Sequence, residues 1–205
     1  MKIYDCEQRT PEWYNVRRGK FTASDANAIL AMGKGLETLI SKKLAEHYSS
    51  GAFEEFTGSF TNKHMERGVN FEDKARAIYE LETGSKVTQV GFVELNEHVG
   101  CSPDGLVGND GLIEIKNHND EVFLRLAEDK KIDKKYRDQM QMQMYVTGRQ
   151  WCDYFGFNPN FSPCYVMIRV HADTSVFERF DEVFPHAIAN LEQRKQQLDK
   201  YLERI

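Results

Sequence analysis

The stretch Ser102-Pro103-Asp104-Gly105-Leu106, followed by Gly108-Asn109-Asp110-Gly111 and then Ile113-Glu114-Ile115-Lys116, decides the reading of this 205-residue sequence. A Gly-Asn-Asp-Gly run between two apolar segments is a hairpin signal, and it predicts two short strands over 101–106 and 111–116. Alternate side chains of a strand share a face. Glu114 and Lys116 therefore point one way, while Ile113 and Ile115 enter an opposite, apolar layer. Asp104, at the end of the neighbouring strand, brings its carboxylate beside Glu114. Two close anions repel, and one takes up a proton unless a cation lies between them. Magnesium prefers oxygen ligands and is usually held by one or two carboxylates. Lys116 then stands where it can position a water or help remove its proton. On these residues alone, a surface hairpin carrying a Glu–Lys pair is an equal alternative.

Outward from the hairpin, Thr22-Ala23-Ser24-Asp25 reads as a helix start with Ser24 as its cap, and Ala26, Ile29 and Leu30 follow at helical spacing. Residues 36–48 continue helical, with Leu36, Leu39, Ile40 and Leu44 on one face. Residues 49–61 read as a loop. A helix over 62–82, stopped at Gly84, buries Phe71, Ala75, Ile78 and Leu81. Lys86–Leu95 is rich in β-branched residues and predicts one strand. Gln139-Met-Gln-Met-Gln-Met144 alternates with a strand's period, yet Gln and Met favour helix. Tyr136, Met140 and Met144 also share a helical face ahead of Gly148, so a helix over 134–147 is preferred. Strands at 151–157 and 164–171 and a helix over 181–203, through Phe184, Ile188, Leu191, Leu198 and Leu202, complete the chain. The pattern predicts a single domain over 1–205 of α/β (α+β) class, a central mixed β-sheet flanked by helices.

Hydrophobic residues make up 40% of the chain, enough for one sizeable core, and 29% are charged. The net charge is −5, which runs against the basic balance usual for nucleic-acid binding. The positive charges are clustered, however, at Arg17, Arg18 and Lys20 and again at Lys130, Lys131, Lys134, Lys135 and Arg137. A local basic patch steers an anion better than a dispersed charge does. The four cysteines form no C-x-x-C pair and the six histidines no zinc spacing, so reduced thiols are expected. There is no apolar leader and no apolar run approaching the roughly 18 residues of a membrane span, which predicts a cytoplasmic protein with no membrane partner.

Asp104 with Glu114-Ile115-Lys116 has the pattern of the PD-(D/E)XK nucleases. Four blocks make the likeness specific: Trp13–Ser24, Gly68–Ala75, Cys101–Leu106 with Glu114–Lys116, and Gln139-Met140-Gln141. Together they resemble the phage lambda exonuclease family, the YqaJ-like viral recombinases or alkaline exonucleases. The resemblance implies a restriction-endonuclease-like core. It also implies a Mg2+-dependent 5′-to-3′ exonuclease, with Mn2+ as a substitute. The enzyme would act on linear duplex DNA with 5′-phosphorylated ends, release 5′-mononucleotides and leave a 3′ single-stranded tail. By the same resemblance Asp104, Glu114, the carbonyl of Ile115 and Glu72 would hold the metal, Lys116 would orient the nucleophilic water, and Gln141 would line the site, with the neighbouring Gln139 and Gln143 left open as alternatives. Arg17, Ser24, Ser102 and Thr22 would hold the 5′-phosphate. A homotrimeric ring and a single-strand annealing partner are implied as well. One departure is plain: no arginine follows Lys116 in Asn117–Phe123, so Arg125 or His118 is expected to reach the phosphate. Trp13 is read as a core aromatic. An endonuclease of the same fold, a DNA-binding protein on a degraded nuclease fold and an RNA-processing nuclease remain as alternatives.

Overall fold

The structure is a computed structural model; it describes residues 1–49 and 63–203, with side chains in the helix beginning at Lys63 described from Phe71 onward. In chain order the elements are β1 (Lys2–Tyr4), α1 (Pro11–Arg17), β2 (Phe21–Thr22), α2 (Ala26–Ala31), α3 (Lys34–Tyr48), α4 (Lys63–Thr83), β3 (Val87–Thr88), β4 (Phe92–Asn96), β5 (Val99–Cys101), β6 (Gly105–Val107), β7 (Gly111–Asn117), α5 (Asp120–Asp129), α6 (Lys134–Thr147), β8 (Trp151–Phe157), β9 (Tyr165–His171) and α7 (Thr174–Leu202). The loop expected at 49–61 falls almost entirely outside the described residues.

The hairpin forms as its turn residues dictate. β6 pairs antiparallel with β7, placing Gly105 opposite Ile113 and Val107 opposite Gly111. β7 then pairs with β8 in parallel. A parallel neighbour needs a long crossover, and α5 and α6 supply it. α5 was not anticipated from sequence; Asn119 caps it, its side chain accepting from the Val122 N–H at 2.9 Å. The resulting sheet, β3-β6-β7-β8-β9, is the mixed sheet expected. Ile113 and Ile115 pack with Ala75 and Tyr79 of α4 on one face. Leu112 packs with Met140 and Met144 of α6 on the other. The helical reading of 134–147 therefore holds, and Gly148 ends it with a φ of 69°.

A second sheet, β1-β4-β5-β2, was not anticipated. The single strand expected over Lys86–Leu95 is two strands, one in each sheet, and so is Cys101–Leu106. The chain crosses between sheets at Gln89-Val90-Gly91, where a Cβ on Gly91 would run into the carbonyl oxygen of Cys6. It crosses back at Ser102-Pro103-Asp104. Gly91 and Pro103, both poor strand residues, mark the two crossings, but nothing local says that the chain changes sheets there.

Three local expectations are corrected. Ser24 caps no helix. It lies in a 3-10 turn, Ala23–Asp25, in which the Thr22 N–H and hydroxyl both donate to Asp25 Oδ2 at 3.0 and 2.9 Å. Leu81 is 81% exposed and Tyr79 takes its place in the core. Six residues beyond Ala75 a helix has turned about 240°, whereas four residues bring it back to about 40°. The last helix starts earlier than expected, at Thr174, and Leu198 and Leu202 are exposed because its final turns run past the core. All four cysteines are free thiols. Among the described residues no helix is long and apolar enough to cross a membrane.

Candidate active site

Asp104 sits in the crossing just before β6, one strand away from Glu114 and Lys116. Its Oδ2 accepts from the Ile115 N–H at 2.7 Å, so the backbone of β7 itself fixes this carboxylate. Glu114 is fully buried. Its Oε1 pairs with the Lys116 ammonium. Two amides of α6 complete its shell: Gln139 Nε2 donates to Oε1 at 2.6 Å and Gln143 Nε2 to Oε2 at 2.7 Å. The alternation of β7 thus brings Glu114 and Lys116 onto one face, toward α6.

The glutamine expected at the site, Gln141, is elsewhere. Its amide donates to the His171 carbonyl at 2.8 Å and its oxygen accepts from the Asp173 N–H at 2.9 Å, tying α6 to the β9–α7 junction. The reason is helical phase. Gln139 and Gln143 are four residues apart and share a face, while Gln141 lies about 200° around from Gln139. That i, i+4 spacing was visible in the sequence.

Electrostatics set the site's character. Burial pushes the Asp104 carboxyl up to about 8, with Glu114 and Glu72 adding to the rise and Lys116 opposing it. Burial pulls Lys116 down, but Glu114 and Asp104 outweigh it and hold the ammonium above the ordinary lysine value. Ionising Asp104 in this buried, acidic setting is therefore disfavoured, and a divalent cation would relieve that conflict. The donor set is all oxygen, suited to a hard cation. Among the described residues no group of three or more His, Cys, Asp and Glu side chains converges as a metal centre. Glu72 is near enough to act on Asp104, but its oxygens are engaged by Arg9 Nη2 at 2.9 Å and Arg76 Nη2 at 3.1 Å.

Arg17 anchors a second feature. Its Nη1 donates to Ser102 Oγ at 3.0 Å, and its guanidinium lies 4.0 Å over the Trp13 ring. Ser102 Oγ donates to the Gly91 carbonyl at 2.7 Å, and the Trp13 indole N–H also reaches that carbonyl and Ser102, both at 2.9 Å. Trp13 is thus a wall of the site rather than a core residue. A cavity of about 270 Å³ opens here, lined by Arg9, Trp13, Arg17, Thr22, Ser24 and Lys43 among others. Thr22, Ser24 and Arg17 line it together, with Ser102 bonded to Arg17. Lys43, which the sequence reading missed, is held at 3.2 Å from Asp25 and 3.5 Å from Glu46.

The other basic residues divide. Arg18 donates to the carbonyls of Glu46 and Ser49, closing the end of α3. Lys20 pairs with Glu94 at 3.1 Å. Arg125 and His118, expected near the phosphate, line a different groove of about 720 Å³ together with Lys131, Lys134, Lys135 and Tyr136. Tyr136 links this groove to the carboxylates, since Lys116 Nζ lies 5.2 Å over its ring. His118 bonds the Tyr154 hydroxyl at 2.8 Å, and burial holds its ring down at about 4, so it is neutral near pH 7.

Residues 12–150 match the YqaJ-like viral recombinase domain, and the chain belongs to that family. Its fold is similar to the crystal structure of an alkaline exonuclease from Laribacter hongkongensis: TM-score 0.86, 31% identity, covering 95% of this chain and 99% of that one. The same exonuclease in complex with dAMP gives a TM-score of 0.84 at 31% identity, with the same coverage. A phage-related exonuclease from Haemophilus somnus shares the fold at a TM-score of 0.64 and 15% identity, covering 90% of this chain and 99% of that one. No curated protein matches the chain.

Proposed function

We propose that this chain, acting as one domain, is a Mg2+-dependent 5′-to-3′ exodeoxyribonuclease of linear duplex DNA. It would release 5′-mononucleotides and leave a 3′ single-stranded tail for annealing. The observation that carries the reading is the convergence of Asp104, Glu114 and Lys116 beside β7, next to a cavity headed by Arg17. The alkaline exonuclease relative, studied with dAMP, supports a DNA substrate.

Asp104, Glu114 and the Ile115 carbonyl would hold the cation. When bound, Mg2+ neutralises charge on the scissile phosphate and lowers the pKa of the attacking water. The chain's own residues do the rest. The Ile115 N–H holds the Asp104 carboxylate in one orientation. Gln139 and Gln143 hold Glu114 so that it need not reorganise. Lys116, kept charged by its acidic neighbours, orients the water and balances charge developing on the phosphate. Arg17, with Thr22, Ser24 and Ser102, would seat the terminal 5′-phosphate, so that the bond one nucleotide in faces the carboxylates. The groove lined by Arg125, Lys131, Lys134 and Lys135 offers positive charge to the duplex beyond. A homotrimeric ring and a single-strand annealing partner belong to the same proposal. Mn2+ is expected to replace Mg2+.

The test is digestion of linear duplex labelled at the 5′ or the 3′ end. The reading expects early release of the 5′ label as mononucleotide and resistance of closed circular duplex. Cutting of the circle would point to an endonuclease.

A further inference from the structure

We infer that Tyr136 is a positioning residue for Lys116: its ring holds the ammonium in place beside Glu114 during cleavage. The inference rests on the proposed exonuclease reading and adds a residue to which that reading gives no part. In the sequence Tyr136 reads only as one member of a helical face. In the structure Lys116 Nζ lies 5.2 Å from the centre of its ring, within the range at which an ammonium is drawn to an aromatic face.

The contact follows from how α6 lies over β7. Tyr136, Gln139 and Gln143 are spaced three and four residues apart and share one stripe of the helix. Gln139 and Gln143 both reach Glu114, and Tyr136, about a turn earlier, reaches Lys116, two residues further along β7. The helix therefore runs opposite to the strand, and one stripe serves both side chains. Tyr136 is itself fixed. Its backbone N–H donates to the Asp133 carbonyl at 3.0 Å in the capped first turn of α6. Its ring lies 5.9 Å from that of Tyr154, a fully buried residue whose hydroxyl bonds His118 Nε2 at 2.8 Å. The ring is thus a fixed surface. A lysine is a flexible stem, and its ammonium stays at one point only if something holds it there.

Glu114 alone is a poor holder. Its Oε1 takes both the Lys116 ammonium and the Gln139 amide, and the same carboxylate is proposed for the cation. A cation on Glu114 competes with Lys116 for those oxygens. An aromatic face offers a hard cation no oxygen ligand, so the ring keeps its hold on Lys116 when the carboxylate is shared. Tyr136 also lines the basic groove, and Lys135 Nζ lies 4.7 Å from the same ring. Site and groove meet at this side chain. Without the ring, the partly exposed Lys116 side chain gains room to turn away from Glu114.

Two measurements test this. Cation-free protein carrying 13C-labelled lysine is compared by NMR in wild type, Tyr136→Phe and Tyr136→Leu, the Lys116 ε-methylene signal being assigned by its loss in Lys116→Arg. An aromatic face shifts protons above it upfield. Wild type and Tyr136→Phe should therefore show the Lys116 signal upfield of its position in Tyr136→Leu. The same proteins then digest 5′-labelled linear duplex in Mg2+. Tyr136→Leu should lower kcat about tenfold with KM nearly unchanged, and Tyr136→Phe, which keeps the ring, should recover most of the loss. Tyr136→Met is a second variant without a ring and keeps the test valid if Tyr136→Leu does not fold. An upfield shift that is absent from wild type, or that survives removal of the ring, overturns the contact. A lost shift with kcat unchanged overturns the role. If Tyr136→Phe keeps the shift but falls as far as Tyr136→Leu, the hydroxyl and not the ring is at work, and the inference falls. If wild type shows the shift but digests no duplex, the exonuclease reading fails and takes the role with it, while the contact stands.

Discussion

Asp104 gives the sharpest prediction because its surroundings oppose its charge. Its ordinary value is 3.8, and burial, Glu114 and Glu72 push it to about 8 in the folded protein. Below about pH 4 it is protonated whether the chain is folded or not, and it has no effect on stability. Between about 4 and 8 the unfolded chain releases the proton while the folded chain keeps it. Unfolding is then favoured by about 1.4 kcal/mol for each pH unit, and the loss is complete once the pH has passed the folded value. From about pH 5 to about pH 8 the cation-free protein should lose about 4 kcal/mol through this group alone. Asp104→Asn removes the titration while its amide oxygen can still accept from the Ile115 N–H. The assay is urea denaturation in EDTA of wild type and Asp104→Asn at both pH values. The variant should be modestly more stable than wild type at the lower pH and far more so at the higher. Adding Mg2+ at the higher pH should recover about 2–3 kcal/mol in wild type at saturating concentration and little in the variant. A stability difference between the two proteins that does not change with pH would refute the reasoning, because the carboxyl would then be ionised as readily in the fold as in water.

Further outcomes follow from the same contacts. Gln143→Leu removes a buried, charge-assisted bond to Glu114 and should lower kcat by tenfold or more, since such a bond contributes about 1.5–3 kcal/mol; unchanged steady-state kinetics would contradict it. Gln141→Ala should instead cost about 1–2 kcal/mol of stability by freeing His171 and Asp173, with kcat nearly intact; a large fall in kcat at unchanged melting temperature would return Gln141 to the site. Arg17→Ala should slow digestion of 5′-phosphorylated ends more than of 5′-hydroxyl ends, and equal slowing would speak against a phosphate role. Gly91→Ala forces a Cβ onto the Cys6 carbonyl and should destabilise by about 2 kcal/mol or more in a thermal melt, because backbone rather than a flexible side chain must move.

The sequence alone determined what depends on neighbours along the chain. The Gly108–Gly111 turn and the alternation of Ile113 to Lys116 are local, so the hairpin and the shared face of Glu114 and Lys116 could be read directly. The blocks around Trp13, Glu72, Asp104 and Gln139 carried the family, and Gly148 marked the end of α6. Tertiary structure decided whatever depends on phase, crossing or a partner distant in the chain. Which glutamine meets Glu114 was set by how α6 is rotated over β7. Whether 86–95 is one strand or two was set by which edge each half could pair with, since Val87 and Val93 are equally suited to either sheet. The tie from Gln8 to Pro103, 95 residues away, gave no signal in the sequence, because no periodicity or local propensity encodes a contact of that range.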